Sequence, residues 1–199
     1  MKDEGHFWFE YAALLLLSGD RDRYRAACAQ MVHRCGKVPA LKVYHMARAC
    51  TLAADSVKDA AQPERLAEGE LKAMPKHFWA LSLTEQGALR YRAGAFEEAE
   101  LLQEQSLRAD GRPGAAVVNW LWLALTNQRL GKTEEARRLL DRAAEWLDQA
   151  RPDYSHRDEG VAGSDEEKAG LHLHHWLEAC VLRREAEALL GTRTSAGKP

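Results

Sequence analysis

Apolar residues recur along most of the chain at the three- and four-residue spacing of one face of an α-helix. The first two segments show the pattern most simply, in Trp8, Tyr11, Ala12 and Leu15, and then in Tyr24, Ala27, Cys28 and Met31. Isoleucine is absent and valine is scarce, whereas strands favour β-branched residues. The pattern therefore predicts an all-α fold.

Glycine, proline and capping residues divide these segments into pairs. Gly19, Gly94 and Gly131 each follow an apolar segment, where glycine ends a helix by adopting a positive φ. Asp20 and Thr133 precede the next segments and are predicted helix N-caps. The predicted helix-turn-helix units span about 6–36, 39–75, 76–111 and 114–150, with individual helices expected over 40–53, 63–74, 79–93 and 96–109.

The remainder of the chain is predicted to complete a single domain spanning 1–191. Residues 151–166 have no helical period and contain proline, glycine and aspartate, so we expect a solvated loop. A last helix is predicted over 167–190 and ends at Gly191. Residues 192–199 are predicted to be a flexible tail.

One stretch occurs twice. Arg92–Leu102 (RAGAFEEAELL) returns 37 residues later, with arginine, glycine, the glutamate pair, alanine and leucine in register. A period of this length indicates stacked helical hairpins, because each hairpin leaves an apolar face that the next one covers.

The repeated residues resemble the tetratricopeptide repeat. The fourth unit carries the resemblance best, through Trp120, Leu123, Ala124, Asn127, Gly131, Ala136, Leu140 and Ala143, and the third carries it through Leu83, Gly87, Arg90, Gly94 and Ala99. Tyr24 is a departure, because the family usually has alanine there. The resemblance implies a right-handed α-α superhelix of four helix-turn-helix units with a C-terminal capping helix.

The same segments look like tetratricopeptide repeats of large bacterial signalling proteins, where they accompany kinase domains or β-propeller repeats. No kinase motif is present in this chain. The resemblance therefore implies a protein- or peptide-binding scaffold, either stand-alone or appended to a larger signalling protein. Another domain of the same polypeptide could also be the partner.

In the family, the first helix of each unit lines a concave binding groove. The positions carried over are Phe9, Ala13, Leu16, Thr84, Tyr91, Arg92, Leu121, Leu125, Gln128 and Arg129, with His45, Arg48 and Leu52 as further candidates in the second unit. Phe9, Ala13 and Leu125 stand where the family's clamp for chaperone tails needs lysine and asparagine. The mixed apolar and basic lining instead favours a peptide with apolar anchors and acidic groups. The alternative is that the terminal helix of this chain fills some of these positions.

The charge balance, the length of the apolar runs and the cysteine pattern limit the kinds of partner and compartment that we expect. The chain has 28 basic and 30 acidic residues and a net charge of -2, which gives no electrostatic reason to bind nucleic acid or an anionic membrane. The longest aliphatic run, Ala12–Leu17, is six residues, whereas a membrane span needs about 20. Four cysteines without a CxxC pair favour reduced thiols in a cytoplasmic protein.

Two sets of residues are of types that could form a metal site or a catalytic site. His172, His175 and Glu178 share a helical face and could contribute to a metal site, so a metal-dependent enzyme is one alternative function. The glutamate pairs 97/98 and 134/135 each open a helix, where the helix dipole explains them. We therefore expect no enzyme activity, no catalytic residue, no metal and no cofactor. A structural dimerisation module is the other alternative, and the sequence leaves the oligomeric state open.

Overall fold

The computed structural model of the chain describes residues 4–35, 43–111, 113–150, 152–153 and 171–191, and these residues are predominantly helical. The helices are α1 (Glu4–Leu17), α2 (Arg21–Arg34), α3 (Val43–Thr51), α4 (Gln62–Lys72), α5 (Trp79–Arg92), α6 (Phe96–Ala109), α7 (Pro113–Arg129), α8 (Thr133–Gln149) and α9 (Leu173–Leu190), with a 3₁₀ turn at Lys76–Phe78. Two-residue strands β1 (Pro152–Asp153) and β2 (Leu171–His172) pair in parallel. The prediction of an all-α fold is confirmed.

Three glycine turns repeat one geometry. Gly19, Gly94 and Gly131 have φ of 84°, 83° and 76°. At each turn the glycine N–H donates to a carbonyl three residues back, and the next N–H donates to a carbonyl five residues back. These two bonds define the Schellman motif, which satisfies the last carbonyls of a helix. The glycines thus end α1, α5 and α7 as the sequence predicted.

The predicted boundaries differ from the structure at several places. Asp20 caps α2 by accepting from the N–H of Arg23 at 3.2 Å, as expected. Thr133 does not cap α8; Lys132 occupies that position and makes no side-chain cap bond, because the helix starts two residues after Gly131. The second-unit helices end earlier than predicted, α3 at Thr51 instead of residue 53 and α4 at Lys72 instead of residue 74. Residues 40–42 of the predicted first helix lie outside the described part.

The predicted last helix starts later than expected. Residues 171–172 pair with β1 as a strand, so the helix begins at Leu173. Residues 167–170, the rest of the predicted loop beyond β1, and the predicted tail over 192–199 lie outside the described residues.

The helices pack in chain order. Each of α1 to α8 contacts the helix that follows it, and α1, α3, α5 and α7 also contact one another in succession. These four first helices of the pairs therefore form an inner row. Helix α9 contacts α7 and α8, as a cap on the fourth unit should, and it also contacts α1 at the other end of the row. The right-handed winding of the stack stays a prediction.

The apolar core is built around α9. One cluster joins Leu182 and Ala186 of α9 to the buried residues of α7. A second joins Leu177 and Val181 of α9 to Phe9 and its neighbours in the first hairpin. A smaller cluster lies between α3, α4 and α5. The terminal helix is therefore the element that connects the first hairpin to the last one.

Candidate functional site

The inner faces of α1 and α7 are covered by α9. Phe9 and Ala13 on α1 are fully buried in the cluster that contains Leu177 and Val181. On α7, the predicted groove residues Leu121 and Leu125 are equally buried in the cluster that contains Leu182. At these four positions the terminal helix of the chain packs on the face where a groove was expected, which is the alternative that the sequence left open. The groove itself stays a prediction.

The remaining predicted groove residues lie in different environments. Thr84 hydrogen-bonds Ser106 at 2.8 Å and therefore faces α6 rather than the groove. Gln128 is half-buried and Arg129 is exposed. Tyr91 is buried, with its ring 5.6 Å from that of Trp122, and Arg129 Nε lies 3.5 Å from its hydroxyl.

Arg92 holds the C-terminal half of α9. Its Nη1 and Nη2 donate to Oε1 and Oε2 of Glu185, each at 2.6 Å, and its Nε donates to the carbonyl of Thr51 at 2.6 Å. The guanidinium also lies 5.0 Å from the ring centre of Trp122. Only 5% of the Arg92 side chain is exposed. A two-pronged bond of this kind fixes direction as well as charge, because the guanidinium and the carboxylate are both planar.

Arg48 holds the N-terminal half of α9. Its Nη2 donates to Oε2 of Glu178 at 2.5 Å and to Nδ1 of His175 at 3.1 Å. The guanidinium carbon lies 4.3 Å from the ring centre of Phe9 and 5.4 Å from that of Tyr44. The Arg48 and Glu178 side chains are 2% and 3% exposed. Arg48 was predicted as a groove candidate from the sequence. Its pairing with Glu178 could not be predicted, because 130 residues separate the two.

A second carboxyl lies beside this pair. Glu85 on α5 is buried, and Thr51 Oγ1 lies 3.5 Å from its Oε1. Burial, and then repulsion by Glu178, raise the pKa of Glu85 to about 8, although Arg48 acts in the opposite direction. Glu85 is therefore mostly a neutral acid at pH 7, and the charge of Arg48 is balanced by Glu178 alone. Sequence reasoning missed Glu85.

Five histidines are linked by ring contacts, and one of them, His175, reaches this pair. They come from three parts of the chain: His6 on α1, His45 on α3, and His172, His174 and His175 at the start of α9. Ring centres lie 4.2 Å apart for His6 and His45, 5.0 Å for His6 and His174, and 4.3 Å for His174 and His175. Burial, then the positive charges that His174 and Arg48 would present to it, hold the pKa of His175 well below 6.5.

The geometry does not favour a metal at His172, His175 and Glu178. Across the described ranges, no group of three or more potential ligands is placed to hold a metal ion. Oε2 of Glu178 accepts from Arg48, and Nδ1 of His175 lies 3.9 Å from that oxygen and faces the same guanidinium. A cation already occupies the position where this pair of side chains converges.

Part of the groove remains open beside α9. A cleft of about 350 Å³ is lined by Leu16, Leu17, Arg21, Leu52, Ala53, Ala54, Asp55, Val181, Arg184, Glu185 and Ala188. Its walls come from the end of α1, the start of α2, the segment that follows α3 and the C-terminal half of α9. Arg184 crosses one side by donating to the carbonyl of Leu17 at 2.7 Å. Of the residues predicted for the groove, the cleft contains Leu16 and the further candidate Leu52.

An apolar stripe on α1 faces solvent. Phe7, Tyr11 and Leu14 follow at four- and three-residue steps and are 52%, 40% and 53% exposed. The apolar pattern predicted that Tyr11 shares one face of α1 with Ala12 and Leu15, which are buried; for Tyr11 this is wrong. Its hydroxyl accepts from Arg23 Nη2 at 2.9 Å on the protein surface. In the part of the chain that the structure describes, no helix is both long enough and apolar enough to cross a membrane.

No protein-family model, curated protein or solved structure matches the chain. The relation to tetratricopeptide repeats therefore stays a prediction from the repeated residues. The main structural feature of this region is the helix α9, which two buried arginines, Arg48 and Arg92, hold against the inner row.

Proposed function

We propose that this protein is a tetratricopeptide-like interaction module whose groove binds helical segments of proteins, either as a stand-alone chain or as part of a larger signalling protein. One observation carries the proposal: the terminal helix α9 lies against α1 and α7 and is held there by Arg48 and Arg92. Laying the apolar face of a helix into a groove is a common mode of peptide recognition.

The make-up of the α9 interface supports an exchangeable helix. Single-domain cores are overwhelmingly apolar, but α9 buries His174 and Glu178 and half-buries Arg183 and Glu185. Interfaces between separate proteins combine an apolar centre with such polar and arginine-mediated contacts. The groove is thus suited to a helix that binds specifically rather than to one that only completes a core.

The close approach of α5 and α6 supports the tetratricopeptide-like architecture. A Cβ added to Gly87 would lie 2.7 Å from Cγ of Gln103 and 3.2 Å from the carbonyl oxygen of Ala99. The resemblance implies a small residue at this position, where two helices of one unit touch. Together with the three identical glycine turns, this contact is what a stack of similar hairpins requires.

The test is a selection of displayed helical peptides against the full chain. Amide hydrogen exchange then locates the binding of the enriched peptides. We expect enriched peptides to protect the inner faces of α1 and α7 and to increase exchange in α9. Enrichment that protects only the exposed stripe of α1, or no enrichment at all, would count against the groove as the binding site.

A further inference from the structure

Two acidic side chains of α9 form the ion pairs through which the groove recognises this helix. Glu178 and Glu185 are seven residues apart, which is two turns and about 10 Å along a helix. Residues with this spacing lie on one face. The first accepts from Arg48 on α3 and the second from Arg92 on α5. The apolar residues between them, Val181 and Leu182, enter the two core clusters.

The two arginines impose a requirement on any occupant. Both guanidiniums are almost completely buried. A buried arginine that loses its carboxylate is left as an uncompensated charge, which costs far more than the pair itself contributes. An occupant that carries glutamine or lysine at either position is therefore rejected by the groove, and specificity arises from that rejection.

We propose that the partner of this groove is an amphipathic helix of another protein that carries acidic residues at positions i and i+7, with apolar residues at i+3, i+4 and i+8. This is the pattern of Glu178, Glu185, Val181, Leu182 and Ala186 in α9. The inference rests on the proposed function and names the partner of the same site. Helix α9 acts as the intramolecular competitor, so the partner helix binds by displacing it.

Charge complementarity selects this partner over a basic one. Arg48 and Arg92 of the inner row bind carboxylates of α9, and Arg129 at the end of α7 lies close enough to Glu185 to interact with its charge. Glu85, a buried carboxyl on α5 that interacts with Arg48, has a pKa of about 8 and so adds little negative charge at pH 7. The inner row is consequently cationic where it meets α9. A helix with two carboxylates is its electrostatic complement.

The experiment uses a fluorescein-labelled peptide with the sequence of residues 171–191 and the full-length chain. In wild type, α9 competes at high effective concentration, so binding should be weak. In the variant Glu178→Gln/Glu185→Gln, α9 is weakened but both arginines remain. We expect this variant to bind the peptide at least tenfold more tightly than wild type, by fluorescence anisotropy. The matched control peptide carries glutamine at both acidic positions and should bind at least tenfold more weakly.

Other results separate this inference from the proposed function. If both peptides bind the variant equally, the groove binds helices but does not read the two carboxylates, so the inference falls and the proposed function stands. If neither binds although hydrogen exchange in α9 has increased, both fall. Unchanged exchange in α9 overturns the inference, because the carboxylates then do not hold the helix. A dimer of the peptide-free variant in sedimentation overturns it in favour of exchange between two copies.

If the double variant does not fold, Glu185→Gln alone provides the same comparison. The Glu185 side chain is 30% exposed, so its replacement disturbs the core less than that of Glu178. The expected gain in peptide affinity is then at least threefold. A further variant, Arg92→Met in the Glu185→Gln background, removes the side chain that binds the second carboxylate. It should bind the peptide of residues 171–191 and a control peptide with glutamine only at the position of Glu185 equally tightly.

Discussion

Arg48 on α3 and Glu178 on α9 form an ion pair inside the protein, with 2.5 Å between Nη2 and Oε2. The two side chains join parts of the chain that are 130 residues apart. Removing one partner of a buried pair leaves the other charge without compensation, whereas replacing both by apolar side chains can be nearly neutral. The pair therefore contributes less to net stability than to fixing which helix lies in the groove, and at what depth.

The first prediction concerns the unequal cost of removing one partner or both partners of the Arg48–Glu178 pair. Glu178→Leu should lower the free energy of unfolding by about 3 kcal/mol, because the guanidinium of Arg48 stays buried without its carboxylate. Adding Arg48→Met should restore at least half of that loss. Urea denaturation of the two variants and wild type measures both effects. A double variant no more stable than the single one would show that the pair itself, rather than the orphaned charge, determines stability.

How far the sequence alone predicts this molecule depends on the range of the interaction. The turns at Gly19, Gly94 and Gly131 and the cap at Asp20 follow from contacts within a few residues, and the structure confirms all four. The position of α9 could not be predicted in the same way. Its apolar periodicity fits a cap on the fourth unit equally well, and only packing shows that it also reaches α1.

The orientation of single side chains has the same limit. Thr84 was predicted to line the groove, and Tyr11 was predicted to share the apolar face of α1 with Ala12 and Leu15. In the structure, Tyr11 bonds Arg23 at the surface and Thr84 bonds Ser106 on the adjacent helix. In both cases the side chain is oriented by a hydrogen bond to a neighbouring helix. The apolar predictions Phe9, Ala13, Leu121 and Leu125 are buried on the inner faces, because apolar burial is the strongest signal in the pattern.

The second prediction concerns Glu85, whose pKa rises from 4.5 to about 8 on folding. A raised folded pKa means that the native state holds the proton more tightly than the unfolded chain does. The protonated Glu85 therefore contributes fully to the free energy of unfolding below pH 4.5, and this contribution is lost as the pH rises towards 8. At about 1.4 kcal/mol per pKa unit, the difference between 4.5 and about 8 corresponds to a loss on the order of 5 kcal/mol.

Glu85→Gln should remove this dependence, because glutamine keeps the shape of the neutral acid. We expect the variant to be more stable than wild type at pH 8.5 and closest to it at pH 5, by urea denaturation at each pH. Glu104→Gln, at an exposed position on α6, is the control and should follow the wild-type profile. A constant difference between the Glu85 variant and wild type at all pH values would mean that Glu85 is ionised in the native state.

The third prediction concerns His175, whose pKa is held well below 6.5 in the native state. The groups that face it are Arg48, Glu178, His6, His172 and His174. A lowered folded pKa means that the unfolded chain binds the proton more readily. The contribution of this histidine is therefore present above pH 6.5 and is lost as the pH falls below that value.

His175→Asn should flatten the acid side of the stability profile between pH 6.5 and 5. The variant loses the bond from Arg48 at every pH, so the informative quantity is the slope of unfolding free energy against pH rather than its level. His33→Asn, at an exposed position on α2, should retain the wild-type slope. An unchanged slope in the His175 variant would show that another group causes the loss at low pH.

The fourth prediction uses two glycines whose replacement by alanine should have opposite effects. Gly131 has φ of 76°, which alanine adopts only with strain, so Gly131→Ala should lower the free energy of unfolding by about 1 kcal/mol, and Gly131→Val by more. Gly69 lies inside α4 with open space around its Cβ direction, so Gly69→Ala should raise it by about 0.5–1 kcal/mol. Thermal unfolding by circular dichroism compares the variants. Equal melting temperatures for Gly131→Ala and wild type would show that the turn after α7 tolerates a non-glycine residue, and would remove that turn as support for the repeat.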